Sequence, residues 1–563
     1  MEDRFWHKAY ANGVPPFIDY EAITLSQALE RTAQRHPDTI ALVMMGKTIT
    51  YRQLNDLVNR FSGALSDLGI QKGDKVALIL PNMPQAIIAS YAVFRLGAVV
   101  VMNNPLYTET ELAHQLNDSD SKTAIGMDLL VPRLLTVKEK TGIETIISCH
   151  IRDYLPFPKK QLFPLVKKKM HRKVMPHEDV LEFMDLIRRY PPAPPGTEVR
   201  FDDLAALLYT GGTTGLSKGV MLSHANCSIC VQQLKAWLPD AEEGKDSMLG
   251  TFPVFHTAGF TTGMNTAIYR GLTYILIPRP EPGVVLEMTR KYHPNWFPCV
   301  PTLFVGILAH PDFPKTDFSS VKGCVSGAAP LALETIKAWK GAVGADIVEC
   351  YGLTETSTLS HANPWGGTTK PGSVGIPVSD TDCRIVDVET GTRDMPLGES
   401  GEVILKGPQV TSGYYQQPEE TAEALRDGWL YTGDIGYMDD EGYLFIVDRK
   451  KDMIIAGGYN IYPRDIDEVL YGHPKIKEGC AVGVPDPYRG ETVKAFIVPE
   501  AGQQVTEDEV RAWCREKLAA YKVPKQVEVM DELPKSPIGK VLRRRLREME
   551  MAKQAAGADQ TGQ

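Results

Sequence analysis

The segment at residues 209–219, with the sequence YTGGTTGLSKG, constrains the fold of this chain more than any other. It follows an apolar run at 204–208 that is typical of a buried strand. Glycines let backbone N–H groups approach phosphate oxygens, hydroxyls add donors, and lysine adds positive charge. Because Gly215 is followed by Leu-Ser-Lys, this is not a Walker loop. A flexible surface loop is the plainer alternative, but strand, glycines, hydroxyls and lysine together favour a phosphate-binding loop.

The chain before this loop alternates between helix and strand patterns. Residues 24–36 are amphipathic, 75–80 form a short apolar strand, and 84–96 are helical again. Such alternation with short loops predicts an α/β fold in which helices flank largely parallel sheets. A buried helix running into a strand also explains the apolar stretch at 86–102, which is interrupted by charge and glycine and is no membrane span.

The pattern changes from about residue 401 onward. Strand patterns at 402–405 and 443–447 predict a small β unit, and a compact α+β segment follows Arg449. A chain of 563 residues is too long for one hydrophobic core. We therefore predict a large N-terminal domain at 1–449, a small domain at 450–550, and a disordered tail at 551–563.

Charge and cysteine content narrow the class of protein. The formal net charge of −9 argues against a general nucleic-acid binder. Nine cysteines without regular spacing predict reduced thiols and no disulfide framework. Cys227 and Cys230 form a lone C-x-x-C without a second pair, so we interpret them as buried core thiols. The charged start of the chain predicts no signal peptide, and we expect a cytoplasmic enzyme.

Four further motifs follow the loop: SGAAP at 326–330, YGLTET at 351–356, YTGD at 431–434 and KSPIGK at 535–540. In this order they resemble the adenylate-forming superfamily, which includes acyl-CoA synthetases, luciferases and the adenylation domains of peptide synthetases. The resemblance covers nearly the whole chain. It implies ATP, Mg²⁺ and coenzyme A as cofactors or co-substrates, and a small C-terminal domain that moves between two half-reactions.

The resemblance also implies which residues bind ATP. They lie in the loop, in the later motifs and at the domain boundary: Thr210, Gly211, Gly212, Thr213, Thr214, Gly215, Lys218, Gly327, Ala328, Ala329, Tyr351, Gly352, Thr354, Asp434 and Arg449. An aromatic ring can stack on adenine, and a carboxylate in a turn, as expected for Asp434, can accept bonds from both ribose hydroxyls. Glu355 is expected to hold magnesium, since a carboxylate is a hard oxygen ligand. As an alternative, YGLTET at 351–356 would only be the start of a helix, in which an N-cap residue is followed by Glu355.

Catalysis is expected to depend on Lys540, Glu355 and Thr214. Lys540 would contact both the acyl carboxylate and the α-phosphate, which otherwise repel each other. The family's hinge position corresponds to Lys451, and the coenzyme A passage to Gly457, Gly458 and Tyr459. Without the motif, Lys540 would be interpreted as a surface lysine.

The acid-binding side is expected around residues 252–259, with His256 and Val300 as acyl contacts. No Asp is present there to hold a substrate amine. Nearby apolar residues predict either an alkyl channel or ordinary core: Phe260, Met264, Pro301, Leu303 and Phe304. The overall pattern looks most like bacterial long-chain fatty-acid–CoA ligases. A ligase for medium-chain or aryl acids, a carrier-protein-loading enzyme and a luciferase-like oxygenase remain alternatives.

One basic segment bears on partners. Residues 157–173 contain seven Lys or Arg side chains interleaved with apolar ones and carry no acid. This pattern favours either peripheral contact with the inner face of a membrane or a solvated insertion. The expected partners are fatty acid, ATP and coenzyme A. Nucleic acid is not expected as a partner. A homodimer is a further option.

Overall fold

The computed structural model describes residues 4–167, 170–210, 217–329, 331–456, 459–486, 489–536 and 539–560. The chain forms two compact units. Unit 1 contains Met1–Asp382 and Leu405–Leu430, and unit 2 contains Cys383–Ile404 and Tyr431–Gln563. The domain limits expected from the sequence, 1–449 and 450–550, stay a prediction.

The helices are α1 (Leu25–Arg35), α2 (Tyr51–Asp67), α3 (Pro84–Arg95), α4 (Glu109–Asp118), α5 (Val131–Lys138), α6 (Lys159–Val166), α7 (Phe183–Arg189), α8 (His224–Trp237), α9 (Thr266–Tyr269), α10 (Pro282–Tyr292), α11 (Pro301–Leu308), α12 (Leu333–Val343), α13 (Pro418–Ala424), α14 (Pro463–Tyr471), α15 (Glu507–Lys517) and α16 (Arg543–Gln560).

The strands are β1 (Ile40–Met44), β2 (Lys47–Thr50), β3 (Lys75–Ile79), β4 (Val99–Met102), β5 (Thr123–Met127), β6 (Thr145–Cys149), β7 (Val180–Glu182), β8 (Leu204–Thr210), β9 (Lys218–Ser223), β10 (Ser247–Gly250), β11 (Thr273–Leu276), β12 (Trp296–Cys299), β13 (Gly323–Ser326), β14 (Ile347–Tyr351), β15 (His361–Ala362), β16 (Ile376–Pro377), β17 (Asp382–Val386), β18 (Gly401–Lys406), β19 (Leu425–Arg426), β20 (Trp429–Met438), β21 (Leu444–Arg449), β22 (Ile454–Ala456), β23 (Tyr459–Ile461), β24 (Ile476–Asp486), β25 (Gly490–Pro499) and β26 (Gln526–Val529).

Two large sheets organise unit 1. One has the order β7-β6-β5-β3-β4-β8-β9, and the other β16-β15-β14-β13-β12-β10-β11-β1-β2. Their central strands are parallel, while β9 and β2 pair antiparallel at the edges. The short apolar runs of these strands are typical of parallel strands covered on both faces. The α/β fold class expected from the sequence is confirmed.

The main core of unit 1 joins the two sheets. It contains Leu42 and Leu78 from strands of different sheets, together with Ile87 and Phe94 of α3. Every residue of α3 is buried, and most of them are apolar because the helix is surrounded by protein. Burial of Cys227 and Cys230 in α8 confirms that they are core thiols.

Side chains in the sequence set the starts of several helices. Thr24, Thr50, Thr108 and Ser223 each accept a hydrogen bond from the backbone N–H three residues later, in reciprocal capping boxes. Each box satisfies N–H groups that the first turn leaves without partners. The cap at Thr24 agrees with the helical pattern predicted from residue 24 onward.

Unit 2 contains a β unit followed by an α+β segment. In the β unit, strand β20 pairs antiparallel with β21. The second sheet has the order β23-β22-β25-β24, with β26 parallel to β25. The buried carboxylate of Asp467 pairs with Arg543 at the start of α16. This pair ties the last helix to α14, because a buried charge requires a charged or hydrogen-bonded partner.

Two local expectations are corrected. Asp434 was expected in a turn, but it lies inside β20, opposite Arg449 of β21. The helix α16 continues to Gln560, so residues 551–560 are helical where the sequence predicted disorder. Ala, Gln, Met and Lys in that stretch are good helix formers, and they extend a helix already started by the packed residues before them. In the described part of the chain, no helix has both the length and the apolar character needed to span a membrane.

Candidate active site

The base of the phosphate loop is a two-stranded hairpin in unit 1. Thr210, the last residue of β8, pairs with Lys218, the first residue of β9. The neighbouring Tyr209 donates a hydrogen bond to Asp118 with an O–O distance of 2.7 Å. The predicted loop residues Gly211, Gly212, Thr213, Thr214 and Gly215 lie outside the described residues. The hairpin therefore fixes both ends of the loop and places Lys218 opposite Thr210.

Glu355 and Lys218 meet around one tyrosine. Glu355 lies in a short 3₁₀ turn after β14 and is buried. Its Oε1 accepts a hydrogen bond of 2.8 Å from the hydroxyl of Tyr414, and its backbone carbonyl accepts one of 2.8 Å from Thr411. The ammonium of Lys218 lies 5.2 Å from the centre of the Tyr414 ring and 3.9 Å from a carboxylate oxygen of Glu420.

This arrangement fits a magnesium ion at Glu355. Among the described residues, the carboxylate of Glu355 has a neutral hydroxyl as a partner and forms no ion pair. A buried carboxylate without a cation is costly, so a bound cation would compensate it. A carboxylate oxygen is also the ligand that Mg²⁺ prefers when it is shared with substrate phosphates. Tyr414 holds that carboxylate in place.

The predicted nucleotide-contacting turns follow two adjacent strands. Strands β13 and β14 are parallel, with Ser326 opposite Glu349, so the segments after them emerge at the same edge of the sheet. Ala328 has a φ of +70°, in the left-handed region that non-glycine residues rarely adopt. Gly327 and Ala329 flank it, and a turn made of glycine and two alanines leaves room for a flat ring to approach the backbone. Such strain is typical of ligand-binding turns.

Tyr351 ends β14, and the residues after it turn back sharply. A Cβ on Gly352 would lie 2.0 Å from the carbonyl oxygen of Thr358, so the turn admits only glycine there. The ring of Tyr351 lies 5.7 Å from that of His361. Burial lowers the pKa of His361 to about 3, so this imidazole is neutral beside the tyrosine. Thr354 begins the 3₁₀ turn that carries Glu355.

The predicted acyl side contains a π-helix at Ala258–Asn265, a geometry that is frequent at functional sites. His256 precedes it, and its carbonyl accepts a hydrogen bond of 2.8 Å from Phe260. A Cβ on Gly259 would lie 2.0 Å from the carbonyl oxygen of Pro253, so helix and preceding chain are in direct backbone contact. Val300 is the N-cap of α11 and is half-buried.

The apolar residues predicted for this side divide between two core clusters. Phe260 and Met264 belong to the main core, whereas Leu303 and Phe304 pack with Trp339 in a second cluster. Their burial agrees with the core alternative, so the alkyl channel stays a prediction.

Unit 2 contributes the predicted ribose contacts. Asp434 of β20 and Arg449 of β21 form an ion pair with a distance of 2.6 Å. Asp434 is buried. The residue before Arg449, Asp448, accepts backbone hydrogen bonds of 2.7 Å from Arg449 and 2.8 Å from Arg464. Burial raises the pKa of Asp448, and the charge of Arg543 opposes that rise. The two strands thus hold a carboxylate and a guanidinium side by side.

Lys540 lies in a tight turn of unit 2. Backbone pairing of Lys535 with Val541 closes the turn, and Ser536 donates a hydrogen bond of 2.8 Å to the carbonyl of Lys540. Gly539 has a φ of +78°, which the turn requires. The exposed Lys540 side chain therefore extends from a fixed backbone. Pro537 and Ile538 of the same motif lie outside the described residues.

The predicted hinge and coenzyme A residues lie in the same unit. Lys451 is in the turn after β21, and its carbonyl accepts a hydrogen bond of 3.1 Å from Arg547 of α16. Gly457 and Gly458 lie outside the described residues, and Tyr459 is described only as the first backbone residue of β23. Their roles stay predictions.

Sequence reasoning missed Tyr414. None of the four residues on either side of it carries a charge, so its sequence context is that of an ordinary core tyrosine. Its isolated bridge with Val220 of β9 brings its hydroxyl to Glu355. The sequence Gly-Tyr-Tyr at 413–415 is the one local feature that could have drawn attention to Tyr414, and it does not indicate which residue Tyr414 contacts.

Two family models match the chain. Residues 29–415 match the model described as AMP-binding enzyme, and residues 465–540 match the AMP-binding enzyme C-terminal domain. The five predicted motifs are distributed across both matched regions and the segment between them.

Relatives match along nearly the full length. The chain is 44% identical over 553 residues to the long-chain-fatty-acid–CoA ligase of Bacillus subtilis, with 97% of this chain and 98% of the relative covered. The ATP-bound structure of MatB from Rhodopseudomonas palustris has a TM-score of 0.81 at 29% identity, covering 94% of this chain and 99% of that one. The fatty acyl CoA synthetase of Mycobacterium tuberculosis has a TM-score of 0.72 at 29% identity, with the same coverage.

Proposed function

Because the chain belongs to the family of AMP-binding enzymes, we propose that it is a long-chain fatty-acid–CoA ligase. The acid's carboxylate oxygen attacks the α-phosphorus of ATP, and pyrophosphate leaves with the bonding pair. The thiol sulfur of coenzyme A then attacks the acyl carbon, loses its proton, and displaces AMP. The 44% identity to a long-chain ligase over the full chain is the observation that carries this conclusion.

In the first half-reaction, residues of unit 1 bind and orient the phosphates and the base of ATP. The loop between Thr210 and Lys218 is assigned to the phosphates, and Tyr351 with the turn at Gly327 to the base. Glu355 would hold Mg²⁺, which when bound offsets the charge of the phosphates. Asp434 would accept hydrogen bonds from the ribose, with Arg449 beside it.

In the second half-reaction, different residues must surround the acyl carbon. We assign the change to rotation of the C-terminal domain about Lys451. Gly457, Gly458 and Tyr459 would then line the coenzyme A passage, where a side chain at either glycine would narrow the path of the thiol. Support for this assignment comes from the sequence motif and from the turn position of Lys451.

The test is pyrophosphate release and acyl-CoA formation with ATP, Mg²⁺ and acids from acetate to oleate. We expect both products, with the highest kcat/KM for long-chain acids. A preference for medium-chain or aryl acids would replace the proposed substrate. Pyrophosphate release without a thioester would identify a carrier-loading enzyme, and light or CO₂ would indicate an oxygenase. If no acid supports either product, the proposed function is wrong.

We further propose that the segment at 157–173 contacts the membrane surface from the cytoplasmic side. Its helix α6 is anchored by buried Phe163, whereas Phe157 is 83% exposed, Leu165 67% and Val166 71%. Exposed apolar side chains beside lysines can enter the interface while the ammonium groups meet anionic lipids. A homodimer remains a separate prediction, which sedimentation velocity tests.

Reversing two charges in this segment should weaken membrane binding. Each basic residue contributes about 1 kcal/mol on anionic lipid, so loss of two should reduce partitioning about 30-fold, and the repulsion added by Lys159→Glu with Lys167→Glu should reduce it further. Co-sedimentation with vesicles containing anionic phospholipid measures it. Lys122→Glu with Lys337→Glu makes the same charge change at exposed sites elsewhere and should have little effect. Equal partitioning of both double variants would contradict the proposal.

A further inference from the structure

A cluster of side chains that could hold a metal ion lies at one end of the seven-stranded sheet, and none of them is among the residues assigned to the reaction. Asp128 directly follows β5, His150 directly follows β6, and Glu182 ends β7. These strands are parallel neighbours, with Met127 opposite Cys149 and Ser148 opposite Glu182. Their carboxyl ends therefore bring the three side chains to one edge of the sheet. His171, near the end of the basic segment at 157–173, joins them.

The side chains converge on one carboxylate oxygen. Oδ2 of Asp128 lies 3.0 Å from Nδ1 of His150 and 2.9 Å from Nδ1 of His171. The ligand atoms of all three residues lie within 4.8 Å of one another. The side chains of Asp128, His150 and His171 are 1%, 7% and 13% exposed, so bulk water competes little for their ligand atoms.

We propose that Asp128, His150 and His171 form a binding site for a divalent transition-metal ion, with Zn²⁺ as the best fit. Ligand bonds of about 2.0–2.2 Å in a tetrahedral site place ligand atoms roughly 3.3 Å apart. The observed separations from Oδ2 need to widen by only a few tenths of an ångström. Two imidazoles and one carboxylate favour zinc over magnesium or calcium, which prefer oxygen ligands alone.

The surrounding hydrogen bonds match those of a metal centre. Nε2 of His150 lies 3.0 Å from a carboxylate oxygen of Glu182. A carboxylate on the far nitrogen fixes the imidazole tautomer so that Nδ1 faces the metal and becomes a stronger ligand. Asp128 is fixed as well, since its oxygens accept backbone N–H bonds from Leu129 at 3.0 Å and Arg172 at 2.8 Å. Both ligands are thus oriented independently of an ion.

A cavity of about 340 Å³ beside the cluster gives access to it. Its wall contains His150, three carboxylates and three basic side chains, namely Asp153, Glu182, Asp185, Arg152, Lys173 and Arg188. Three protein ligands leave one tetrahedral position, which water from this cavity can fill. On binding, the metal replaces the proton at Nδ1 of each imidazole, and the protons pass to solvent.

An ion at this site would join β5 and β6 to the end of the basic segment. His171 and Arg172 contact Asp128, and His171 lies five positions after Val166, the last residue of α6. Metal binding would therefore hold the base of α6 against the sheet. The site does not take part in the proposed ligase reaction, and it stands or fails independently of that function.

Equilibrium dialysis of the full chain tests the site. Protein stripped with a chelator is dialysed against micromolar Zn²⁺ without ATP, and bound metal is measured by atomic absorption. We expect one equivalent of zinc and a midpoint of thermal unfolding that rises by a few degrees with Zn²⁺. Co²⁺ should give the intense visible absorption of a tetrahedral site. Failure of the stripped wild-type chain to bind one equivalent would overturn the proposal.

Matched histidine variants locate the ion. His171→Gln should weaken zinc binding at least about tenfold and remove the Co²⁺ absorption. His177→Gln, six residues along and more exposed, should leave both unchanged. Asp128→Asn provides a second loss of a ligand, and circular dichroism shows whether each variant folds. Equal zinc binding by wild type and both ligand variants would place the ion elsewhere and refute this site.

Discussion

Replacing Lys540 with alanine should reduce acyl-adenylate formation on the order of 100- to 1,000-fold, while thioester formation from pre-formed acyl-adenylate changes little. The two reacting groups are a carboxylate and a phosphate, and both carry negative charge. A fixed ammonium between them stabilises the charge that concentrates at phosphorus in the transition state. The second step attacks a carbonyl and has no such requirement, so the two half-reactions should respond unequally.

The structure gives a matched control for this variant. Lys535 lies at the other end of the same turn and pairs with Glu478 at a distance of 2.7 Å. Lys535→Ala makes the same chemical change and should leave adenylation nearly unchanged. Pyrophosphate release measures the first step, and acyl-CoA formation from synthetic acyl-AMP measures the second. Loss of both steps in Lys540→Ala would show that the lysine stabilises the unit and has no step-specific role.

Changing Glu355 to glutamine should raise the Mg²⁺ concentration needed for half-maximal adenylation about tenfold or more, and should lower the maximal rate on the order of 100-fold. Glutamine keeps the size of the side chain and can still accept the hydrogen bond from Tyr414. The substitution therefore removes the charge of a metal ligand while the turn that positions it is preserved. A Mg²⁺ titration of pyrophosphate release at fixed ATP measures both quantities.

Two further variants separate metal binding from positioning. Glu420→Gln removes a carboxylate that lies 3.9 Å from Lys218, and it should leave the Mg²⁺ dependence unchanged. Tyr414→Phe removes the hydroxyl that donates to Glu355, and it should shift the Mg²⁺ dependence by less than Glu355→Gln. An unaltered Mg²⁺ titration in Glu355→Gln would exclude it as the metal ligand.

Local sequence patterns predicted many of the helices and strands. The helix predicted at 24–36 is α1 (Leu25–Arg35), and the strand predicted at 75–80 is β3 (Lys75–Ile79). Both depend on signals within the element, namely apolar periodicity and turn residues at the ends. The same reasoning failed for Asp434, because Gly433 before it suggested a turn while β21 pairs with that stretch and makes it a strand.

The candidate site was only partly predictable for the same physical reason. Motif residues such as Glu355 are identified by the residues around them, whereas their partners come from distant parts of the chain. Tyr414 reaches Glu355 from 59 positions away, and His171 reaches Asp128 from 43 positions away. A local sequence pattern does not indicate which residues that are distant in the chain come into contact.

The sequence by itself therefore determined the fold class, the family, the reaction and the motifs expected to perform it, because these depend on residue types at short spacings. Only the tertiary structure decided that Tyr414 holds Glu355 and that Asp434 lies in a strand beside Arg449. It also brought Asp128, His150 and His171 together at the ends of parallel strands. These arrangements follow from strand order and register, which bring distant residues together and which no short segment of the chain encodes.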